Sequence, residues 1–411
     1  MVLKKRFFLI IPTVFLFAIT SLIYLRDIII KKNNRIINNI YFELPFILKT
    51  EKDCKDIDLL FQKYFDNTFS ATIIDHRGNV IGSFNDNILR IPASNIKLFS
   101  TSYVIDNVHP SDMLQTSLYK DNYNNLYLIG SGDPDLTWND IRKLLEEIEF
   151  NNKITLNLLE VKEDFYWPDG WTYNDKNLPY GAPLSLLALD SNQNINNDIN
   201  YLQNIIYDYI HRSYPASDIE ISILYDLRIN FRDLKMISTI YSNNFLSLIT
   251  LANSLSHNYT AEILYKNISR TWGENNYKIL QNWLIRKGLP IGEIIISDAS
   301  GLSRDNLVTT KAIALFLYKM QYNNNFEFFK SSLSILGVRG TLSDYFPNSK
   351  LKGIFFGKTG TLSNSFALSG YLYKDDNPIV ISIIQNSIDP KKYQFFDFLL
   401  DLYELESYGC S

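Results

Sequence analysis

The chain has 411 residues, 46% hydrophobic and 14% aromatic, enough to bury one large core or two moderate ones, which excludes a disordered tail. A formal net charge of −4, with Lys and Arg scattered beyond the N-terminus, leaves no basic footprint, so nucleic acid is not an expected partner. His76, His109, His211 and His257 are dispersed and neither H-E-x-x-H nor C-x-x-C occurs, so no metal and no cofactor are implied.

Lys4, Lys5 and Arg6 precede a nearly all-apolar run, Phe7 to Leu25, and Arg26, Lys31, Lys32 and Arg35 come after it. At about 1.5 Å per residue this run just spans a bilayer core of about 30 Å. Residues 1–30 therefore read as an uncleaved signal anchor or a signal peptide, and either exports the rest of the chain. Residues 31–50 read as a spacer. Cys54 and Cys410 lie near opposite ends of the exported part. An oxidising compartment allows them to pair, but nothing in the sequence brings their Cα atoms together, and two unpaired thiols are expected.

Ser70–Ile74 and Val80–Ser83 are predicted strands joined through Asp75-His76-Arg77-Gly78-Asn79, a hairpin in which Gly78 takes positive φ. Ser94-Asn95-Ile96-Lys97 then heads a helix expected over 94–105, with Ile96, Phe99, Tyr103 and Val104 burying one side. Leu126–Ile129 is a predicted strand, Thr137 caps a helix through Glu147, and Ile154–Val161 is a second strand. Ser256-His257-Asn258 precedes a helical pattern over 258–272. Another over 277–287 is closed by Gly288, with Pro290 beyond. A helix over 311–320 comes next. The strand-like 353–357 leads into Lys358-Thr359-Gly360-Thr361, then come a hairpin (366–373 and 379–385) and a closing helix over 393–405.

A serine hydroxyl is a poor nucleophile at neutral pH and needs a base, and a helix sets residues three apart on one face. Lys97 is thus placed to receive the Ser94 proton, while the helix N-terminus favours developing negative charge. The succession S-x-x-K (Ser94, Lys97), S-x-N (Ser256, Asn258) and K-T-G (Lys358, Thr359, Gly360) resembles that of penicillin-binding proteins and serine β-lactamases. Tyr127–Thr137, Tyr180–Ser185, Asp298–Asn306 and Gly337–Leu342 resemble, more narrowly, the D-alanyl-D-alanine carboxypeptidase/endopeptidase family, the class C low-molecular-mass penicillin-binding proteins. The likeness runs from about Phe69 to the last helix and is loosest over 192–244.

The resemblance implies an α+β fold: a penicillin-binding transpeptidase/serine β-lactamase-like catalytic domain, an antiparallel sheet flanked by helices, with an inserted smaller α+β domain. The catalytic domain is expected over 51–115 and 245–411 and the insertion over 116–244, with 192–244 too short for a complete second inserted domain. It implies a serine D,D-carboxypeptidase or D,D-endopeptidase that cleaves D-Ala-D-Ala bonds of peptidoglycan stem peptides through a Ser94 acyl-enzyme and is inhibited by β-lactams. Ser94, Lys97 and Ser256 are the expected catalytic residues. Asn258, Lys358, Thr359, Gly360 and Thr361 are expected to bind substrate, the Ser94 and Thr361 amides forming the oxyanion hole. Burial and a neighbouring cation, Lys358, are expected to lower the Lys97 pKa.

The family often has Asp where this chain has His257, which is left unassigned. Asn253, Ser254, Ser256 and Asn258 all compete to cap the helix that begins there. Gly132–Asp135 and Ser300–Ser303 read as turn chemistry plus a cap. The implied location is the periplasm or the outer face of the cytoplasmic membrane, anchored through the N-terminal segment if that is uncleaved. A serine β-lactamase, or a catalytically weak membrane-tethered peptidoglycan-binding protein, are the alternatives.

Overall fold

The computed structural model describes residues 53–148, 153–193, 198–225, 227–228, 231–374, 376–406, 408 and 410. The expected signal segment and spacer lie outside them. Among the described residues no helix is long and apolar enough to cross a membrane.

The strands in chain order are β1 (Phe69–Ile74), β2 (Val80–Phe84), β3 (Met113–Lys120), β4 (Leu126–Ile129), β5 (Ile154–Leu159), β6 (Ile219–Leu224) and β7 (Lys235–Asn244). They continue with β8 (Ile294–Ile295), β9 (Leu307–Val308), β10 (Ser334–Ile335), β11 (Phe355–Leu362), β12 (Ser365–Lys374) and β13 (Asn377–Asn386). Six form one antiparallel sheet in the order β10-β11-β12-β13-β1-β2. The expected Gly78 hairpin joins β1 to β2: Gly78 has φ 85°, and Asp75 Oδ1 accepts from the Arg77 and Asn79 amides.

Every residue of β1 is buried, because the sheet is covered on both faces. One face carries the helices Ile96–Ile105, Asn258–Ser269 and Thr310–Met320 in a core with Phe99, Ile263 and Phe316. The other carries Lys55–Tyr64 and the closing helix Lys392–Glu404, which pack on each other through Phe61 and Phe398. That packing unites the two ends of the described chain, and Cys54 is disulfide-bonded to Cys410. This corrects the expectation of two free thiols: separation in sequence hides an approach that tertiary packing creates.

The helix Ile96–Ile105 also departs from its one-sided expectation: all ten residues are buried. Its hydroxyls are satisfied locally or across the core, Ser102 Oγ on Leu98 O (2.7 Å) and Ser100 Oγ on Ala299 O (2.6 Å).

Residues from Met113 to Asn244 build a second sheet in the order β6-β5-β4-β3-β7. It is mixed, β4–β5 and β5–β6 being parallel, and the helices Trp138–Glu146 and Ile199–Ser213 share a separate apolar core with its strands. Thr137 and Asp140 form a capping box at the first of these helices. The stretch after Asn192 supplies the second helix, β6 and β7, so it completes this sheet and does not start another.

Candidate active site

The backbone around Ser94 is clamped between two other segments. Ala93 sits in the left-handed region (φ 46°), Ala93–Asn95 forms a single 3-10 turn, and the α-helix starts only at Ile96. A Cβ on Gly360 of β11 would lie 2.6 Å from Pro92 O and 2.9 Å from Ser94 N. Glycine is what lets the strand pass so close. Asn95 adds a tie from the same turn, its Nδ2 donating to Lys358 O at 3.2 Å.

Lys97, in the first turn of the helix, is fully buried. Its Nζ lies 3.0 Å from Ser94 Oγ, 2.7 Å from Asn258 Oδ1 and 2.6 Å from Ser300 O. Burial lowers its pKa to about 7, against the opposing pull of the Asp298 and Glu262 carboxylates. Burial is therefore the dominant cause. The repulsion between the two lysines instead registers on Lys358, which burial and Lys97 hold well below the ordinary lysine range.

The second motif lies between two helices. Phe245–Ser254 ends, Ser256 turns the chain in the left-handed region (φ 61°), and Asn258–Ser269 begins. None of the expected Ser or Asn competitors caps the new helix. His257 does so, its Nδ1 accepting from the Thr260 amide (3.4 Å), with the Gln193 amide group 2.9 Å from its other ring nitrogen. Burial first, and Lys97 second, lower its pKa to about 4, so the cap is a neutral imidazole at pH 7. With the cap supplied, Asn258 is free to bridge Lys97 and the Tyr180 carbonyl (3.0 Å).

Along β11, side chains two apart share a face. Thr359 and Thr361 face an open cleft of about 860 Å³ whose walls also include Ser94, Ser256, Asn258, Gly301 and Leu302. Lys358 points inward and donates to Thr359 O at 2.8 Å. Thr359 Oγ1 donates to Thr341 Oγ1 (2.7 Å), which lies 3.1 Å from Ser334 Oγ; that hydroxyl donates to Ser254 O (2.9 Å). This chain of hydroxyls ties the third motif to the end of the helix that precedes the second.

Several residues in or beside the cleft escape a reading by motif. Arg304 is ion-paired with Asp175 from the region of the second sheet, and Tyr180 OH donates to the same carboxylate at 3.2 Å. Trp171 Nε1 donates to Asp298 Oδ2 at 2.9 Å. Tyr180, Arg304 and Thr341 stand inside segments that carry the family resemblance, whereas Trp171 and Asp175 have no signal of their own. The 300–303 stretch does more than the turn chemistry its sequence implies: its Ser300 carbonyl holds Lys97 and its Gly301 and Leu302 line the cleft. Among the described residues no cluster of three His, Cys, Asp or Glu side chains is arranged to hold a metal ion.

The fold resembles penicillin binding protein 4 of Haemophilus influenzae, with a TM-score of 0.70 at 18% identity over 84% of this chain and 98% of the other. It also resembles a predatory peptidoglycan endopeptidase of Bdellovibrio bacteriovorus, with a TM-score of 0.54 at 15% identity over 81% of this chain and 90% of that one. In sequence it is 27% identical over 168 residues to a D-alanyl-D-alanine carboxypeptidase of Actinomadura sp. (strain R39), a match covering 38% of this chain and 31% of the relative. The chain thus spans about a third of the length of that curated relative. The profile of the D-Ala-D-Ala carboxypeptidase 3 (S13) family matches residues 62–200 and 232–396, well over half of the chain. With all three motifs inside the matched stretches, this chain belongs to the D-Ala-D-Ala carboxypeptidase 3 (S13) family.

Proposed function

We propose that this protein is an exported serine D,D-carboxypeptidase that also acts on the equivalent bond of cross-linked peptidoglycan stem peptides, and that β-lactams acylate it at Ser94. The observation that carries the reading is the set of partners around Lys97 Nζ. A neutral amine has two N–H donors and one lone pair. Asn258 Oδ1 and Ser300 O take the two donors, which leaves the lone pair facing Ser94 Oγ. A pKa of about 7 makes that neutral form abundant at physiological pH.

Lys97 Nζ takes the Ser94 proton as Oγ bonds to the carbonyl carbon between the two D-alanines. The Ser94 and Thr361 amides receive the oxyanion. Collapse breaks the C–N bond, and Ser256 relays the proton from Lys97 to the departing D-alanine amine. Water then hydrolyses the ester. Thr359 receives the substrate carboxylate at the cleft, and the negative charge of that group favours the protonated form of Lys358, buried behind the strand, against burial. Asn258 holds the substrate amide backbone, and Gly360 gives the strand its close approach.

Relatives support the inhibitor side of this reading. The Haemophilus penicillin binding protein 4 has been seen in complex with a β-lactam, and the Bdellovibrio endopeptidase in a penicillin G-acylated form. Export, with the N-terminal segment as a membrane anchor if uncleaved, is supported by the apolar run Phe7 to Leu25 and by the Cys54–Cys410 disulfide, a bond typical of oxidising compartments. The test is incubation with labelled penicillin and, separately, with a stem pentapeptide. A Ser94 adduct and released D-alanine are expected; neither appearing refutes the proposal.

A further inference from the structure

Two buried carboxylates beside the site take no part in the chemistry above. Glu262 lies one turn after Asn258 on the same helix; its Oε1 accepts from the Ala299 and Ser300 amides (2.9 and 2.8 Å) and its Oε2 from Tyr277 OH (2.8 Å). Asp298 Oδ1 accepts from the Gly301 amide (2.7 Å) and Asn306 Nδ2 (2.8 Å), and its Oδ2 from the Ser303 amide (2.7 Å) and Trp171 Nε1 (2.9 Å). Both are completely buried. The Ser300–Gly301 peptide unit therefore has its N–H on Asp298 and its carbonyl on Lys97 Nζ, and the two units before it hang on Glu262.

Resting on the functional reading above, we infer that Glu262 and Asp298 are positioning residues: they fix the Ser300 carbonyl that aims the Lys97 lone pair at Ser94, and their charge sets the pH at which Lys97 becomes a base. Trp171 extends the same clamp to the region of the second sheet. The charged and titratable groups facing Glu262 are Asp298, Lys266, Tyr277 and Lys97, while Lys97 also faces His257 and Lys358. When charged, both carboxylates favour the charged form of Lys97, and burial opposes them; burial and Asp298 raise Glu262 itself to about 7, so its charge acts on Lys97 only as pH rises through that value.

Geometry and charge separate cleanly between two variants. In Glu262→Gln the amide oxygen can still accept from Ala299 and Ser300 while the new NH2 donates to Tyr277 oxygen, so the clamp survives without its charge. In Asp298→Asn the new NH2 must oppose a pair of N–H donors whichever way it turns, because each carboxylate oxygen accepts from two of them, and the clamp breaks.

The experiment measures the rate of Ser94 acylation by labelled penicillin from about pH 5 to 9, with thermal midpoints, on the full chain. Glu262→Gln is expected to hold its plateau rate within a few-fold and to move the acid limb down by roughly half a pH unit, because Glu262 is itself only about half ionised near that limb's midpoint. Asp298→Asn is expected to lower the plateau on the order of 100-fold. An unmoved acid limb in folded Glu262→Gln overturns the charge role, and wild-type acylation by Asp298→Asn overturns the positioning role. If Asp298→Asn does not fold, the Glu262→Gln profile decides alone. Wild-type protein that takes no label brings down the functional reading and this inference together; labelled wild type with variant profiles identical to it brings down this inference only.

Discussion

Gly301→Ala isolates how closely the 298–303 loop must approach the turn that carries Ser94. Gly301 has φ +81°, and a Cβ built there would lie 1.9 Å from Ala93 O and 3.0 Å from Ser94 Cα. Ordinary carbon–oxygen contact begins near 3.3 Å, so the two backbones must part by roughly 1.4 Å. Displacement of about 1 Å at a reacting group costs on the order of 100-fold in rate. The left-handed backbone adds about 1–2 kcal/mol of strain, which must be separated from the clash. Gly292→Ala does so, because Gly292 has φ +89° and nothing within 4 Å of its added Cβ. Acylation by labelled penicillin and thermal midpoints are measured for both. Gly292→Ala should lower the midpoint alone, and Gly301→Ala should also acylate about 100-fold more slowly. Gly301→Ala acylating within about twofold of wild type, with a midpoint matching that of Gly292→Ala, would refute the close-approach argument.

With the Lys97 pKa lowered to about 7, its base form grows as pH rises and falls about tenfold per unit below that value, so acylation at pH 5 should be roughly 1% of the plateau. A rate profile flat from pH 5 to 8 contradicts this. Burial raises Glu160 from 4.5 to about 7, while Ser185 and the Leu186 and Val161 amides bond its carboxylate. Between those two values the native state binds more protons than the unfolded chain, so this group costs stability as pH rises through the window. Glu160→Gln should remove that slope from the thermal midpoint, and parallel midpoint–pH curves for variant and wild type would disprove it. The Cys54–Cys410 bond spans 356 residues, and Cys54→Ser should cost about 2–5 kcal/mol, read as a lower thermal midpoint. Acylation should be unchanged, since Cys54 belongs to the core on the opposite face of the sheet from the Ser94 helix.

Sequence alone determined whatever depends on neighbours in the chain. The Gly78 hairpin, the Thr137 cap, the helix before Gly288 and the pairing of β12 with β13 are local consequences of backbone preference and periodicity. The Ser94–Lys97 spacing belongs with them, because a helical turn sets that distance. The three motifs also carried family membership, since their order survives whatever lies between them.

Tertiary structure decided whatever depends on approach between distant segments. Lys97 is placed for the proposed role of base only because Asn258 and Ser300 arrive to take two of its N–H groups and burial removes the water around it. His257 took the cap for which Ser and Asn are the usual residues, which left Asn258 for the site. Cys54 met Cys410 because the first and last described helices pack on each other. Periodicity reports which face of a segment is apolar; it is silent on which other segment will cover that face, and desolvation, the force that moves the Lys97 proton, begins only with that covering.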